Sequence, residues 1–401
     1  DKLVKVAQEH GFAAFQHDFR LRHAVARVPS YLARVVGGND FPTVWIDIKF
    51  VDVQKLEAKR QEALKANQLV VSEDDFVPAS LRTRNGSAKA KVRLKGDNVD
   101  HLDSSKWSMR IQIKGDDHLF GLRRFSIQHP KTRGFHAELL LHETFDRFGI
   151  ITPRYFFVNV IVTGYHLGIM NVEEHFSKEL LEQSGLKESV ILKLDESLLW
   201  FVKTFEEETP FLVNPFLLYQ SAPIDAFQVG KIRKSPSLTR DYDVAVGLLR
   251  GFTSGLLSAS ETFDAELLGK YLAVVDFWGA WHEIRWNNQR FYFNPLTLRL
   301  EPIAFDGNVH MEIPADRGII GEPIVKRMLD DPIVRDAYDR ASRLLVAQAI
   351  EGSLIKELKE LERPVLEELQ SEFFMLEPFN FPDLIERTKQ DATKVGANGW
   401  I

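Results

Sequence analysis

The chain contains no cysteine. This absence excludes disulfide bonds, thiolate catalysis and cysteine-ligated zinc, and a cysteine-free chain is compatible with an oxidising compartment. No run of apolar residues approaches the ~18 residues typical of a membrane-spanning helix. The sequence also lacks a Walker phosphate-binding loop, a glycine-rich dinucleotide fingerprint and a serine-hydrolase nucleophile elbow, so P-loop, Rossmann and serine-hydrolase functions find no support.

The charge and composition that are present belong to an ordinary globular protein. The chain has 401 residues, of which 44% are hydrophobic and 27% charged, as expected of globular domains. Its length corresponds to about two to three domains. The net charge of −6 argues against a dedicated nucleic-acid-binding protein, which usually has a basic excess, and the 29 phenylalanines predict a well-filled core.

The N-terminal region predicts helices over residues 1–9 and 13–36. The second helix is basic, which suits either a membrane surface or a solvated helix face. Because the sequence begins at Asp1 rather than at a methionine, we expect a preceding segment, such as a signal peptide or membrane anchor. We therefore expect a membrane-anchored location at the cell envelope, with a cytoplasmic location as the alternative.

Residues 43–195 carry strand patterns together with helical patterns over residues 53–67, 135–148 and 177–183. Apolar and polar residues alternate in most of the strand patterns, as in half-buried strands, and residues 135–148 predict an amphipathic helix that ends at Gly149. An Asn85-Gly86 turn predicts a hairpin. The predicted strands span residues 43–50, 77–83, 88–95, 107–114, 124–128, 154–162, 167–172 and 190–194. Together they predict an antiparallel sheet that carries one or two helices.

A proline-rich stretch separates this region from a mostly helical one. Residues 210–237 contain little periodicity and predict a crossover loop or lid. Helices are predicted over residues 241–250, 264–281, 322–329, 332–350 and 355–373. We predict an N-terminal extension (1–42), a β-rich lobe (43–209), the crossover (210–237) and a helical lobe (238–401), which makes an α+β protein.

Two groups of charged residues in the β-rich region suggest phosphate binding. The cationic group comprises Arg93, Lys95, Lys106, Arg110 and Lys114. Lysine and arginine supply the charge and the donors that phosphates need. A carboxylate partner would hold such a lysine in place, and the candidates are Glu138 and the Glu173-Glu174 pair. The alternative explanation is a solvated face of the sheet.

Residues 281–310 combine a helix end, a polar loop, a hairpin and a second polar turn. Glu283 suits a base that orients or deprotonates an attacking hydroxyl, with His282 as a second candidate. Asn288 and Asp306 offer the oxygen ligands that Mg²⁺ prefers, and Asn308 lies close to them in sequence. The alternative is a polar hairpin in which these residues cap turns.

The order of these pieces resembles the CotH-type (spore-coat) atypical protein kinase family. The family's motifs are an Arg-Gly-Asn-like strand end, a lysine-rich strand, a loose Phe-Gly stretch, a helix ending in glycine, a Gly-containing hairpin ending in glutamate, and two acidic loops. The similar stretches here are VRLKGDN (92–98), KWSMRIQIK (106–114), LFGLRRFSI (119–127), HAELLLHETFDRFG (136–149), TGYHLGIMNVEEHF (163–176), Glu283 to Asn288, and EPIAFDGN (301–308). The resemblance covers about residues 80–350.

This resemblance implies a two-lobed protein-kinase-like fold with an antiparallel β-rich N-lobe and a helical C-lobe. It implies ATP and Mg²⁺ as cofactors and transfer of phosphate to a protein Ser or Thr hydroxyl. The expected catalytic residues are Glu283 and Asp306. The expected nucleotide-binding residues are Arg93, Lys95, Lys106, Arg110, Glu138 and Glu174, and the expected metal ligands are Asn288, Asp306 and Asn308.

Two departures from the family pattern keep alternatives open. Glu283 and Asn308 stand where the family has aspartates, and a glutamate base is displaced by roughly an ångström, enough to reduce activity. One alternative is a non-catalytic binding or assembly module at the cell envelope, with a sugar, polysaccharide or protein ligand. A further alternative is a metal-dependent hydrolase that uses Glu283 and Asp306.

Overall fold

The structure is a computed structural model that describes residues 38–96, 99–197, 218–309 and 319–387. The predicted helices over residues 1–9 and 13–36 lie outside the described residues. So do positions 97 and 98 of the lysine-containing strand end, residues 210–217 of the predicted crossover, and His310. No helix in the described ranges combines the length and the apolar character needed to span a membrane.

The described chain packs as two compact units. The first comprises residues 38–140, Arg154–His175 and Glu357–Asn380; the second comprises Leu141–Pro153, the described parts of 176–356, and 381–387. The chain thus enters each unit more than once. This division concerns packing alone, and the domain boundaries proposed at residues 42, 209 and 237 stay a prediction.

A closed seven-stranded barrel forms the first unit. Its strands are β1 (Thr43–Ile48), β2 (Val77–Thr83), β3 (Gly86–Leu94), β4 (Met109–Ile113), β5 (Arg124–Gln128), β6 (Tyr155–Val162) and β7 (Tyr165–Glu174). They follow the order β1-β2-β3-β4-β5-β7-β6, and β1 closes the barrel by pairing with β6. Each strand overlaps a stretch in which the sequence predicted one.

The closed barrel corrects the predicted two-lobed, protein-kinase-like fold, which is wrong. The protein is α+β, but the β-rich part is not an open antiparallel N-lobe, because β1 and β6 pair in parallel with Thr43 opposite Asn159. Alternation within a strand reveals which face is buried. It does not reveal which distant strand becomes the partner, and barrel closure depends on that contact.

The inside of the barrel is filled by the apolar members of each alternating strand. Side chains such as Val44, Val92, Ile111, Phe125 and Val172 are fully buried there. Burying a side chain of this size contributes about 1.5–3 kcal/mol. The complementary set of side chains on the same strands therefore points out of the barrel.

Helix α1 (Phe50–Ala66) follows β1 and places Leu56 and Ala63 in the same apolar cluster as the inward-facing side chains, and helix α2 (Ala137–Arg147) follows β5. Part of the outer face is covered by other segments of the first unit. A second apolar cluster joins Tyr155, Phe157 and Ile169 of the outer face to Phe135 and to four residues of the C-terminal segment. Those four are Leu366, Leu369, Phe373 and Leu376. Polar side chains on this face are consequently shielded from water.

The second unit is a four-stranded sheet with helices. Its strand order is β11-β10-β8-β9, all antiparallel, with β8 (Ile191–Leu194), β9 (Ile224–Ala226), β10 (Arg290–Asn294) and β11 (Arg299–Ile303). The helices are α3 (Lys178–Gln183), α4 (Val229–Ile232), α5 (Pro236–Ser254), α6 (Ala259–Thr262), α7 (Ala265–Trp278), α8 (Pro323–Leu329) and α9 (Pro332–Glu351). Helix α10 (Ser353–Leu369) begins in this unit and belongs to the first unit from Glu357 onward.

Most of these elements match the sequence predictions, and one region differs. Helices α5, α7, α8, α9 and α10 overlap the predicted helices, and the β10–β11 hairpin lies where a hairpin was predicted within residues 281–310. Residues 218–237 were predicted as part of a crossover loop, yet they contain β9 and α4. A three-residue strand and a four-residue helix are too short to produce a periodic pattern.

Candidate functional site

Polar side chains form a continuous row across the outer face of the barrel. Strand register places Arg93 of β3 opposite Arg110 of β4, Arg110 opposite Ser126 of β5, and Ser126 opposite Glu173 of β7. Ser126 and Glu173 are buried. Like charges directly opposite each other on neighbouring strands are unfavourable. The Arg93–Arg110 pair therefore makes this face a favourable place for negative charge.

Lys95 lies at the end of this row, in the centre of a buried network. Its Nζ donates to Glu173 Oε2 at 2.7 Å and to Gln128 Oε1 at 2.6 Å. Arg133 Nε donates to Glu173 Oε1 at 2.7 Å. All four side chains are buried, with exposed fractions between 0% and 8%. One carboxylate thus holds two cations in place.

The electrostatics of this network reflect its burial and its positive charge. Burial lowers the pKa of Lys95 to about 8, although the charge of Glu173 acts in the opposite direction. Burial alone would raise the pKa of Glu173, but Arg133 and Lys95 outweigh this effect and hold that pKa well below its usual range. Lys95 is therefore a cation at neutral pH that begins to lose its proton near pH 8.

Two histidines indicate the same positive potential. Burial lowers the pKa of His101 well below its ordinary value, and the charges of Lys95 and Arg133 lower it further. Burial also lowers the pKa of His175, with Arg110 and Arg124 adding to the effect. Both rings are therefore neutral at physiological pH, and the positive charge around them comes from lysines and arginines,.

Buried amides beside Lys95 add unsatisfied hydrogen-bonding capacity. Gln128 of β5 lies opposite Asn171 of β7, and neither side chain is exposed. Among the described residues, Gln128 Nε2 and both amide atoms of Asn171 have no hydrogen-bond partner. Buried polar groups are nearly always paired, so such groups call for an explanation. Their position next to the Lys95 network is typical of a binding site.

Lys106 occupies a separate position on the first unit. Its Nζ donates to the Ile169 carbonyl at 2.8 Å, forms an ion pair with the Glu372 carboxylate, and lies 4.9 Å from the centre of the Phe373 ring. Residues 372 and 373 follow helix α10. The ammonium is therefore held between strand β7 and the C-terminal segment.

Glu138 and Glu174, the two glutamates proposed to orient a basic residue, lie in different environments. Glu174 forms a two-point contact with Arg154, with Nη2–Oε1 at 2.6 Å and Nε–Oε2 at 2.8 Å. Glu138 is buried in the first turn of α2. Its charge adds to burial in raising the pKa of Tyr155. The residue that holds Lys95 is instead Glu173, the neighbour of Glu174.

In the second unit, Glu283 is part of a tightly packed turn. Its side chain is 1% exposed, and its Oε1 accepts a hydrogen bond from the Phe305 backbone N–H at 3.0 Å. A Cβ at position 307 would overlap Leu141, and it would lie 3.4 Å from Glu283 Oε2. Glu283 therefore holds the loop that carries Asp306 close to its own helix end.

Asp306 and Asn308 have an unusual backbone conformation. Their φ angles are +63° and +49°, in the left-handed region that residues other than glycine seldom adopt,. Asparagine and aspartate tolerate this region best among the other residues. Residues held in such conformations cluster at functional sites. Both side chains are largely buried, at 9% and 8% exposure.

His282 lies at the centre of this loop cluster. Its Nδ1 is 3.0 Å from the Asp306 carbonyl oxygen and 3.6 Å from Asp306 Oδ2. Nδ1 therefore has a hydrogen-bond acceptor, the Asp306 carbonyl, within hydrogen-bonding distance. The Asn308 and Asn288 amides lie 3.2 and 3.3 Å from the same Nδ1.

The oxygen donors of this cluster suit Mg²⁺ in kind. Asn288 Nδ2 donates to the carbonyls of His282 and Phe305 at 3.2 and 3.3 Å, which directs its Oδ1 away from them. Asp306 adds a carboxylate. Within the described ranges, no three His, Asp or Glu side chains converge on one cation position. These oxygen atoms are of the kind that Mg²⁺ prefers, but a magnesium site here stays a prediction.

Six of the predicted residues fall into two clusters, one in each unit, whereas Lys106, Glu138 and Glu174 have other surroundings. Lys95, Arg93 and Arg110 lie on one barrel face, and Asn288, Asp306 and Asn308 share one loop cluster with His282. Four residues that the sequence did not single out are Gln128, Arg133, Asn171 and Glu372. Side chains two positions apart on a strand share a face of the sheet. Once the strand order is known, this rule places Gln128 and Asn171 on the same face as Arg110.

Comparison with protein families and with curated proteins assigns no function to these clusters. No model of a known protein family matches the chain, and no curated protein matches it. The resemblance to the CotH-type kinases stays a prediction based on the quoted motifs. The function of the two clusters has to be inferred from their own geometry.

Proposed function

We propose that the chain is an ATP- and Mg²⁺-dependent phosphotransferase that transfers phosphate to a Ser or Thr hydroxyl of a protein. The observation that carries this proposal is the buried Lys95 network. Lys95 is held between Glu173 and Gln128, with Arg133 on the same carboxylate. A fixed ammonium beside arginine forks is an arrangement that stabilises the charge on phosphate oxygens.

The barrel face supplies the nucleotide-binding part of the proposal. Arg93 and Arg110 extend the Lys95 network along neighbouring strands. Because the face is partly shielded from water, their charges act over a lower effective dielectric than at an open surface. Lys106 would contact a further phosphate oxygen. Glu173 keeps Lys95 in one position, which reduces the ordering that binding would otherwise require.

The loop cluster supplies the metal-binding part. Asp306, Asn288 and Asn308 would hold Mg²⁺ on the second unit, and a bound Mg²⁺ offsets negative charge on a phosphoryl group. Glu283 fixes the loop through Phe305 N–H. Its role as a base stays a prediction. His282 is a second candidate for the base, and its ring is positioned by the contact of Nδ1 with the Asp306 carbonyl.

A transfer assay tests the proposal. Wild type, Lys95→Met and Asp306→Asn would be incubated with γ-labelled ATP and Mg²⁺, with casein and the chain itself as acceptors. We expect transfer by wild type and a loss of about 100-fold or more in each variant, since each removes a group that stabilises transition-state charge. Absence of both nucleotide binding and transfer in the folded wild type would exclude the proposal.

A second candidate is a nucleotide-binding module without catalysis. It is favoured by Asn308, a neutral amide where the resembling family has a carboxylate, and by the engagement of Glu283 with the backbone. This candidate predicts ATP binding that depends on Lys95 but no transfer to either acceptor. Its location at the cell envelope stays a prediction.

A further inference from the structure

On the first unit, Lys106 and its neighbours hold a carboxylate of the chain itself. We define the Lys106 pocket by Lys106, Gly168, Ile169, Glu372 and Phe373. Lys106 Nζ is paired with the Glu372 carboxylate, and the Ile169 N–H donates to Glu372 Oε2 at 2.6 Å. An ammonium and a backbone N–H thus each donate a hydrogen bond to one oxygen of the same carboxylate. Phosphate oxygens are bound by the same kinds of donor.

The backbone of the pocket is shaped for an approaching anion. Gly168 has a φ of +78°, and a Cβ at this position would overlap the Glu372 carboxylate, with the carboxyl carbon 2.8 Å away. Only glycine leaves this space open. The glycine sits within the hairpin where β6 and β7 pair, directly before Ile169. The space above Gly168 and the donor on Ile169 therefore belong to one site.

The carboxylate that fills the pocket comes from a segment that reaches it from the solvent side. Glu372 follows helix α10, and its side chain is 31% exposed, whereas the Lys106 side chain is 10% exposed. Within the described residues, its carboxylate contacts Lys106 and Ile169 and no other hydrogen-bonding group. A change in side-chain rotamer would move it into water without breaking a further hydrogen bond.

We propose that the Lys106 pocket is an oxyanion-binding site for a nucleotide phosphate, and that Glu372 occupies it in the ligand-free chain. The inference rests on the proposed function, because it names the contact that a phosphate must displace. Binding then requires Glu372 to turn outward, and the apparent affinity falls by the fraction of molecules in which it has done so.

Calorimetric titration with pyrophosphate, without Mg²⁺, tests this competition. Wild type, Glu372→Ala and Glu372→Gln would be compared. We expect Glu372→Ala to bind pyrophosphate about tenfold tighter, the change produced when a pocket open in a tenth of the molecules becomes open in all. Glu372→Gln removes the charge and keeps the size, so a smaller gain is expected. Adding Lys106→Ala to Glu372→Ala should abolish the gain in affinity for pyrophosphate.

Glu368→Ala is the matched control. Glu368 lies on the same segment, is also half-buried, and accepts a hydrogen bond from the Asp40 N–H at 2.9 Å. Its removal deletes the same charge without touching Lys106, so no gain is expected. An equal gain in Glu368→Ala, or no gain in a folded Glu372→Ala or Glu372→Gln, would overturn the proposal.

The same titrations separate this inference from the proposed function. ADP and O-phosphoserine, used in place of pyrophosphate, distinguish a nucleotide from a phosphorylated protein as the source of the phosphate. We expect the gain in Glu372→Ala with ADP and not with phosphoserine, and the reverse result would contradict a nucleotide site. A gain without any transfer activity would leave the pocket in place and remove the phosphotransferase function.

Discussion

The two clusters hold their polar groups by different means. On the barrel face, formal charges bind one another, with Glu173 paired to Lys95 and Arg133. In the loop cluster, backbone carbonyls and amides surround His282, and Asp306 provides the nearby carboxylate. Paired charges are costly to separate, whereas neutral hydrogen bonds rearrange at smaller cost. The first cluster is therefore suited to a fixed anion site, and the second to a site completed by a ligand.

The largest expected effect comes from breaking the charged cluster. Glu173→Ala leaves Lys95 and Arg133 buried without their shared carboxylate, and this should lower the free energy of unfolding by about 3–5 kcal/mol. Urea denaturation measures the change.

An exposed ion pair provides the control for that measurement. Lys178 and Glu182 lie 3.2 Å apart one helical turn from each other, with half of the glutamate side chain exposed. Glu182→Ala should cost about 0.3–0.5 kcal/mol. If Glu173→Ala and Glu182→Ala lost the same free energy of unfolding, the buried charges of the barrel face would contribute no more to stability than an exposed ion pair.

The loop cluster should respond more to packing than to charge. In Gly307→Ala the new methyl overlaps the Leu141 side chain and lies 3.2 Å from Ala280 Cβ. Overpacking of this kind costs about 1–3 kcal/mol, measured by thermal or urea unfolding. Gly247→Ala is the contrasting variant, since position 247 lies in helix α5 with open space around it. It should stabilise the chain slightly, and a loss as large as that of Gly307→Ala would refute the packing explanation.

These clusters also show where sequence analysis succeeded. The hairpin after β2, helix α2 and the strands β4 and β10 follow from local alternation, turn residues and a glycine stop, and the structure contains them. Contacts between distant segments do not follow from such patterns. The ion pair of Lys106 with Glu372 joins residues 266 positions apart.

The choice between two adjacent glutamates shows the limit of local patterns in physical terms. Neighbouring residues of a strand point to opposite faces, so Glu173 and Glu174 cannot both meet Lys95. Which one does depends on the register of β7 against β5, where Ser126 lies opposite Glu173. The sequence named Glu174 for the nucleotide site, and that residue contacts Arg154 instead.

The smallest expected effect is a pH dependence of the barrel-face site. The pKa of Lys95 is lowered from 10.5 to about 8 by burial. Between these values the unfolded chain binds the proton more readily, so this residue makes stability rise with pH. Phosphate affinity should change in the opposite direction and weaken up to about fivefold between pH 8 and 9, because the ammonium falls from about half to about a tenth of the molecules.

Lys95→Arg provides the control for this pH dependence. Arginine keeps its charge throughout the range, so titrations of this variant should show a nearly constant affinity. A decline above pH 8 as steep as that of wild type would mean that another group is responsible.

The most direct test of the central claim is the Mg²⁺ dependence of ATP affinity, measured by calorimetry in wild type and Asp306→Asn. The substitution preserves size and tolerates the left-handed backbone at this position,. We predict that Mg²⁺ tightens ATP binding by wild type and leaves that of Asp306→Asn unchanged, with both proteins equally stable. An equal response to Mg²⁺ in the two proteins would contradict the claim.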